Sequence, residues 1–211
     1  MFSINIVGAG SLGSFTTFLL SKMAGAFHWR ITVFDHDIVE PRNALNQLYR
    51  LDDVGYPKVA VLQKILNELE TSSVEAEFKK IDAAHEFDGI VVTLVDSMAA
   101  RRAVFEACKY RANIPLYIDA RTGEGVALVY VLDPRNPDLV ERYERTLHAD
   151  EEGVPAPCAN QETIPTLWVV AAAISNALAF FSNSRIPRSE LWEIAVNMEH
   201  LPTIETNVYT D

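Results

Sequence analysis

The stretch that decides the fold lies near the amino terminus and reads Ile4-Asn5-Ile6-Val7-Gly8-Ala9-Gly10-Ser11-Leu12-Gly13. Its apolar run, Ile4–Val7, predicts a first strand, and Leu12–Met23 behind it predicts a helix. The glycines between them follow the G-x-G-x-x-G pattern, which has meaning where it joins a strand to a helix. Gly8 permits the tight turn, Gly10 lets the backbone approach a phosphate, and Gly13 lets helix and strand pack closely. The stretch therefore predicts a nucleotide-binding turn.

Short apolar runs and helical stretches alternate after this turn, which is typical of parallel βαβ units. We predict an α/β fold: a doubly wound, Rossmann-like, mainly parallel sheet with helices on both faces. Val126–Leu132 comes soon after Gly123 and Gly125, so it is expected to add to the sheet as an antiparallel strand. The other predicted elements are Ile31–Phe34, Lys58–Leu69, Val74–Ile81, Ile90–Val95, Met98–Tyr110 and Leu116–Asp119.

The last third of the chain has a different texture. It contains a polar helix candidate, a loop rich in glycine and proline, an apolar helix and one strand candidate, while the tail through Asp211 carries no clear pattern. Polar residues within the apolar stretch Ile164–Phe181, and the lack of Lys or Arg before it, favour a core helix over a membrane span. The polar helix, the loop and the strand are predicted at Asp138–Leu147, His148–Glu162 and Trp192–Met198.

Composition excludes several classes of protein. The 211 residues include 29 acidic and 18 basic ones, for a net charge of −11, and 49% are apolar. This is a globular chain without the cationic excess that nucleic-acid binding needs, so a basic or neutral partner is favoured. Two cysteines are too few for a structural zinc site or a disulfide framework, and the amino terminus has no basic segment typical of a signal peptide. We therefore expect a cytoplasmic protein with no nucleic-acid or membrane partner.

Charged residues beyond the glycine loop indicate which nucleotide binds. Asp35 ends the predicted second strand, where a carboxylate can accept ribose hydroxyls, but this alone leaves an NAD-dependent oxidoreductase open. Lys58 and Arg50 could neutralise a triphosphate if they face the nucleotide. Asp96 follows the strand Ile90–Val95, where its carboxylate could hold a Mg²⁺ ion that bridges phosphates. A dehydrogenase has no evident need for these groups.

Five ordered motifs carry a family resemblance. They are Gly-Ala-Gly-Ser-Leu-Gly-Ser from Gly8, Asp-x-Asp-x-Val-Glu from Asp35, Asn-x-x-x-Gln from Asn43, Val-Gly-x-Pro-Lys-Val from Val54, and Val-Asp-Ser-x-x-x-Arg from Val95. Together they resemble the adenylation domain of the ThiF/MoeB/HesA family, the ubiquitin-activating-enzyme-like proteins. The resemblance covers about residues 3 to 130 and is weaker over 158–180.

The resemblance implies that ATP with Mg²⁺ lies on the glycine loop. The family's reaction is attack by the C-terminal glycine carboxylate of a ubiquitin-like or sulfur-carrier protein on the α-phosphate, which gives an acyl-adenylate and pyrophosphate. Residues 1–132 would form the ATP-binding adenylation core, residues 133–211 would complete the same domain, and the protein would be a homodimer. The implied site residues are Asp35 at the ribose with Asp37 beside it, Asn43, Gln47, Arg50 and Lys58 at the phosphates, Asp96 at the metal, and Arg101 as the motif arginine.

The sequence departs from the family pattern at two places. Asn46 stands where a phosphate-contacting arginine is usual, and Arg42 or Arg50 could substitute for it. The paired Cys-x-x-Cys zinc motifs of many members are missing. A non-catalytic nucleotide-binding interaction module therefore stays an alternative.

Five other residues have competing interpretations. Cys158, close to where thioester-forming members keep their cysteine, is either a nucleophile or a structural residue, while Cys108 is expected in the core. His36 is expected to point away from Asp35 and Asp37, because side chains alternate along a strand. Asp119 and Arg121 either form a salt bridge or contact the incoming carboxyl tail.

Overall fold

The structure is a computed structural model that describes residues 2–71, 74–123, 125–148, 161–200 and 202–210. One eight-stranded sheet forms its centre, with helices on both faces, as the sequence predicts. The strands are β1 (Phe2–Val7), β2 (Trp29–Asp35), β3 (Val74–Phe78), β4 (Ile90–Thr93), β5 (Tyr117–Thr122), β6 (Val126–Leu132), β7 (Glu190–Asn197) and β8 (Thr203–Thr210). The helices are α1 (Ser11–Phe27), α2 (Lys58–Glu68), α3 (Met98–Cys108), α4 (Pro137–Glu144) and α5 (Ile164–Ser182).

The strand order β3-β2-β1-β4-β5-β6-β7-β8 makes the sheet doubly wound. β3, β2, β1, β4 and β5 are parallel, whereas β6, β7 and β8 add in antiparallel fashion, as predicted for Val126–Leu132. The winding reverses between β1 and β4, and open α/β sheets bind ligands at such a switch point. Val7 pairs with Phe34 on β2 and with Thr93 on β4, so the carboxyl ends of the three strands lie level with one another.

The helices form a layer on each face of the sheet because each buries one apolar side. α1, α2 and α5 share one hydrophobic cluster with the inner side chains of β1 and β4, while α3 and α4 share the other with β5. All four side chains of β4 and most of those of β1 and β5 are buried, because helices cover both faces of these central strands.

α5 lies where the sequence places a core helix. It packs against α1 and over β5, β6 and β7, and Val170, Ala171 and Ile174 are fully buried. In the part of the chain that the structure describes, the helical stretch Gln161–Ser182 alone is long and apolar enough to span a membrane by length and composition.

The carboxyl-terminal tail corrects one expectation. The sequence shows no clear pattern in the tail through Asp211, yet Thr203–Thr210 forms β8, paired along its whole length with β7. Both faces of β8 are exposed, so its apolar residues show no alternation, although the stretch is rich in β-branched residues. The predicted strand Val74–Ile81 is also shorter, ending at Phe78, and most of the predicted loop His148–Glu162 lies outside the described residues.

Candidate functional site

The glycine loop joins β1 to α1 at the switch point of the sheet. Gly8 has a φ of 108°, and a Cβ atom there would lie 2.4 Å from the carbonyl oxygen of Leu94, just beyond β4. A Cβ on Gly13 would lie 2.1 Å from the carbonyl oxygen of Gly8. These two glycines are therefore required for packing. Around Gly10, by contrast, no described atom outside its chain neighbours lies within 4 Å of the Cβ position, so the backbone is open to a ligand there.

The amino terminus of α1 begins directly at this opening. Its N-cap residue is Gly10, which has no side chain to accept a hydrogen bond from the first helical N–H groups. The first turn carries no acidic residue either. Free N–H groups and the positive end of the helix dipole therefore face the open side of Gly10, which is the environment a phosphate group prefers.

Asp35, the predicted ribose ligand, holds the loop in place. Its carboxylate accepts hydrogen bonds from the backbone N–H groups of Ala9, at 2.6 Å, and Asp37, at 2.7 Å. One carboxylate offers about four acceptor sites, so two backbone bonds leave room for a ligand hydroxyl. The structure thus places Asp35 beside the glycine loop and uses it to connect the ends of β1 and β2.

Asp37 and Lys58 form an ion pair beside the loop. Two chain segments are joined by backbone bonds, from Val39 N–H to the Tyr56 carbonyl at 2.9 Å and from Lys58 N–H to the Asp37 carbonyl at 3.0 Å. This pairing brings the Lys58 ammonium 2.9 Å from the Asp37 carboxylate. The Lys58 side chain is 10% exposed and that of Asp37 is 51% exposed. The pair is therefore open to solvent only on its acidic side.

The pKa of Asp37 reflects two opposing effects. Partial burial raises the pKa, but the hydrogen bond and positive charge of Lys58, helped by His36 and Arg42, outweigh burial and hold it below its ordinary value. Asp37 is therefore ionised throughout the neutral range, and its charge keeps a lysine ammonium at the edge of the site.

A polar cleft of about 290 Å³ opens above this pair, and we call it the Lys58 cleft. Asn43, 4% exposed, lies in its wall and accepts a hydrogen bond from the Glu40 N–H at 2.7 Å. The Asn43 N–H donates to the Glu40 backbone carbonyl in return, at 2.9 Å, so Asn43 also caps the short 3-10 helix Pro41–Leu45. The cleft is lined by His36, Asp37, Ile38, Glu40, Arg42, Asn43 and Lys58.

His36 does not point away from its neighbours, contrary to the prediction from strand alternation. A ligand atom of each of Asp35, His36 and Asp37 lies within 4.8 Å of the others, and His36 Nε2 is 3.8 Å from a carboxylate oxygen of Asp37. The reason is that β2 ends at Asp35, so the alternation of side chains stops one residue before His36.

The remaining predicted phosphate ligands lie in different surroundings. Gln47 is half-buried and Asn46 is 3% exposed, and among the described residues neither side-chain carbonyl oxygen has a hydrogen-bond partner. The Arg50 guanidinium pairs with Glu68 at 3.4 Å, at the last residue of α2. Lys58 is the first residue of that helix, about 15 Å away at 1.5 Å per residue. The structure therefore does not bring the Arg50 side chain to the Lys58 cleft.

Tyr49 belongs to the site although none of the sequence motifs contains it. Its hydroxyl donates a 2.6 Å hydrogen bond to the carbonyl of Ala9, inside the glycine loop, and the residue is 3% exposed. Burial, followed by the negative charges of Asp35, Asp37 and Asp53, raises the pKa of Tyr49 well above its ordinary value, so the hydroxyl stays a donor. No local sequence signal separates this tyrosine from a core aromatic residue.

Asp96 and Arg101 belong to the same motif, but Asp96 is exposed to solvent and Arg101 is buried. Asp96 is exposed just beyond β4, next to Ser97, whose hydroxyl caps α3. Arg101 is 3% exposed, and its guanidinium donates to the carbonyls of Val95, at 2.7 Å, and Ala120, at 3.2 Å. Burial lowers the pKa of Arg101. The structure thus gives the motif arginine structural contacts that fix α3 over the ends of β4 and β5.

Asp119 is the centre of a buried charge network. Its carboxylate is fully buried, forms ion pairs with Arg101 and with Arg121, the latter at 2.9 Å, and accepts a hydrogen bond from the Tyr143 hydroxyl at 2.9 Å. Arg121 also donates to the Thr146 carbonyl at 2.7 Å. Of the two interpretations of Asp119 and Arg121, the structure shows the salt bridge.

The structure describes one of the two cysteines, Cys108. Cys108 is fully buried on α3, as predicted, and burial raises the pKa of its thiol. A buried thiol of raised pKa is a poor nucleophile. Cys158 lies outside the described residues, so its proposed role as a nucleophile stays a prediction from the sequence.

The fold is shared with known structures. MccB of E. coli, solved with ATP, superposes with a TM-score of 0.72 at 20% identity over 99% of this chain and 64% of that one. MccB solved with AMPCPP and MccA has the same TM-score and coverage. PaaA superposes with a TM-score of 0.69 at 16% identity, over 100% of this chain and 64% of that one. The chain thus spans somewhat less than two thirds of these proteins, and none of the curated proteins matches its sequence.

The family assignment comes from the sequence as a whole. The model of the ThiF family matches residues 1–207, which is almost the entire chain. The match includes all five motifs and extends into the last antiparallel strand, beyond the region where the motifs are found. The chain therefore belongs to the ThiF family.

Proposed function

We propose that this protein uses ATP to adenylate the C-terminal carboxylate of a peptide or small carrier protein. The observation that carries the proposal is the open side of Gly10 at the uncapped amino terminus of α1, with the Lys58 cleft beside it. Helix N–H groups and a lysine ammonium suit a polyphosphate. Membership of the ThiF family, and the solved structure of MccB with ATP, support the same conclusion.

The proposed chemistry needs little from the protein besides alignment of charges. An oxygen of the substrate carboxylate attacks the α-phosphorus, the bond from that phosphorus to the bridging oxygen breaks, and pyrophosphate leaves with the electron pair. The nucleophile is already ionised at neutral pH, so no general base is required. The helix N–H groups and Lys58 would bind the phosphates and reduce their repulsion of the incoming carboxylate.

A magnesium ion fits the residues present. Asp96 offers a solvent-exposed carboxylate just beyond β4, the strand whose end touches the glycine loop. Mg²⁺ binds through one or two carboxylates together with phosphate oxygens and water, so one such residue is sufficient. When bound, the ion would neutralise phosphate charge, and Asp96 would hold it.

We propose the chemical class of the substrate, not its identity. The structures of MccB with MccA concern that protein, yet they make a short peptide as reasonable a substrate here as a ubiquitin-like or sulfur-carrier protein. The net charge of −11 favours a basic or neutral partner. A homodimer and a cytoplasmic location remain predictions from the sequence and the resemblance.

The first experiment is calorimetric titration of the purified protein with ATP and Mg²⁺, and separately with NAD⁺. We expect ATP to bind and NAD⁺ not to bind. Lys58→Met keeps the buried stem but removes the ammonium, and it should weaken ATP binding about tenfold to a hundredfold, the range of a charged hydrogen bond. Binding of NAD⁺ in preference to ATP would support the oxidoreductase instead, and binding of neither would support a non-catalytic module.

The second experiment tests the reaction. ATP–pyrophosphate exchange should appear when neutral or basic peptides with a free C-terminal glycine carboxylate are added, and each peptide's C-terminal amide is the matched control. An amide cannot attack as a carboxylate does, so exchange supported equally by both forms would contradict the proposal.

A further inference from the structure

A second cation, Arg42, lies in the Lys58 cleft. It stands on the 3-10 helix that Asn43 and Glu40 cap, so the backbone that carries it is fixed. Its guanidinium is 2.5 Å from the Glu40 carboxylate, and the two side chains are 60% and 48% exposed. Its positive charge helps to lower the pKa of Asp37, which also lines the cleft. Arg42 and Lys58 therefore both present positive charge to the Lys58 cleft.

The neighbouring candidates do not share this position. Asn46, uncharged and 3% exposed, presents no cation to the cleft, and Arg50 pairs with Glu68 at the far end of α2. Lys58 and Arg42 are the lysine and the arginine among the residues lining the cleft. The structure thus distinguishes between the two substitutes, Arg42 and Arg50, that the sequence left open.

We infer that Arg42 binds a phosphate group of the nucleotide, in exchange for the Glu40 carboxylate, an inference that rests on the proposed function. In the free protein each cation of the cleft has a carboxylate partner, Lys58 with Asp37 and Arg42 with Glu40. The Arg42–Glu40 ion pair is exposed to solvent, and exposed ion pairs contribute little to stability. A phosphate can therefore displace the carboxylate at small cost. A guanidinium then binds two phosphate oxygens at once, which a lysine cannot do.

The exchange makes a distinctive prediction for Glu40. Because its carboxylate competes with phosphate for Arg42, Glu40→Gln should bind ATP more tightly than the wild type, about twofold to fivefold. Both hydrogen bonds between residue 40 and Asn43 use the backbone N–H and carbonyl of Glu40, so the substitution retains the cap of the 3-10 helix. A residue with a purely structural role would not raise affinity when its charge is removed.

The test is titration of Glu40→Gln and four further variants with ATP and Mg²⁺, with thermal unfolding as a check that each is folded. Arg42→Ala should weaken binding at least tenfold, and Arg42→Lys should recover part of the loss. Arg50→Ala tests the rival assignment. Arg30→Ala is the matched control, because Arg30 is exposed at the amino end of β2, the end of the sheet opposite the site.

The outcomes separate the two claims. Weaker binding by Arg42→Ala, with tighter binding by Glu40→Gln and no change for Arg30→Ala, supports the inference. It is overturned if Arg42→Ala binds within twofold of the wild type, or if Arg50→Ala loses more affinity than Arg42→Ala. If the wild type itself does not bind ATP, the proposed function fails and this inference fails with it. If the wild type binds ATP and the Arg42 variant binds it equally well, only this inference fails.

Discussion

Two ion pairs lie at the carboxyl ends of the parallel strands and differ in almost everything but their chemistry. Asp37 and Lys58 meet beyond β2, and Asp119 and Arg101 meet at β5. Each cation comes from the first turn of a helix, α2 or α3. The Asp37 side chain is 51% exposed, whereas that of Asp119 is completely buried.

The difference shows that burial decides whether a charged side chain has a structural role or is available to a ligand. A carboxylate removed from water must be satisfied by the protein, and Asp119 accordingly engages two arginines and a tyrosine. A carboxylate that keeps one side in water can give up its partner to a ligand. The same residue types therefore form a buried structural network at β5 and a solvent-accessible binding cleft beyond β2.

The largest effect should come from breaking the buried pair. Asp119→Asn leaves Arg101 buried without its carboxylate, and removal of one partner from such a pair costs about 3–5 kcal/mol of unfolding free energy. Urea unfolding measures the loss, and Asp37→Asn is the matched control, expected to lose less than about 1 kcal/mol. Equal losses for the two variants would contradict the assignment of separate roles.

An intermediate effect is expected at Tyr49, which connects the cleft side of the molecule to the glycine loop. Tyr49→Phe removes the hydroxyl and leaves the buried Ala9 carbonyl without this donor, so we expect a loss of about 1–2 kcal/mol of unfolding free energy. ATP affinity should fall a few-fold because the loop is held less firmly. Tyr117→Phe, in the other cluster, should destabilise the protein without changing ATP affinity, and a change there would show that the two regions are coupled.

A small effect on stability with a large effect on binding is expected for Lys58→Met. The methionine retains the apolar stem, and the exposed Asp37 carboxylate can be solvated, so unfolding free energy should change by no more than about 1 kcal/mol. The same variant should lose at least tenfold in ATP affinity. A loss of several kcal/mol in unfolding free energy would place Lys58 with the buried network instead.

The smallest effect concerns pH. The pKa of Asp37 is lower in the folded protein than in the unfolded chain, so its pairing with Lys58 stabilises the protein at neutral pH and loses this contribution as pH falls through the folded-state pKa, below about pH 4. The stability difference between wild type and Asp37→Asn, under about 1 kcal/mol at pH 7, should shrink as the pH falls below about 4. A difference that grows on acidification would reverse the sign of the argument.

The motifs indicated which residues lie close together, but they did not indicate the contacts of the charged side chains. The glycine loop, Asp35 and Lys58 lie together as expected, because each is attached to the end of a strand or the start of a helix whose place the sheet dictates. Arg101 and Arg50 carry the same charge as Lys58 in the sequence. Their long side chains reach partners that the motif does not contain, Asp119 and Glu68.

The sequence by itself determined the family, the parallel sheet and the turn at Gly8–Gly13, because these depend on local patterns: apolar runs of strand length and glycines where a Cβ would clash. Tertiary structure alone decided which charges face the cleft, that Tyr49 supports the glycine loop, that His36 lies beside Asp35 and Asp37, and that the tail forms β8. The physical reason is that burial and partner choice depend on segments far apart in the chain, and no local pattern records which of two equal charges will be removed from water.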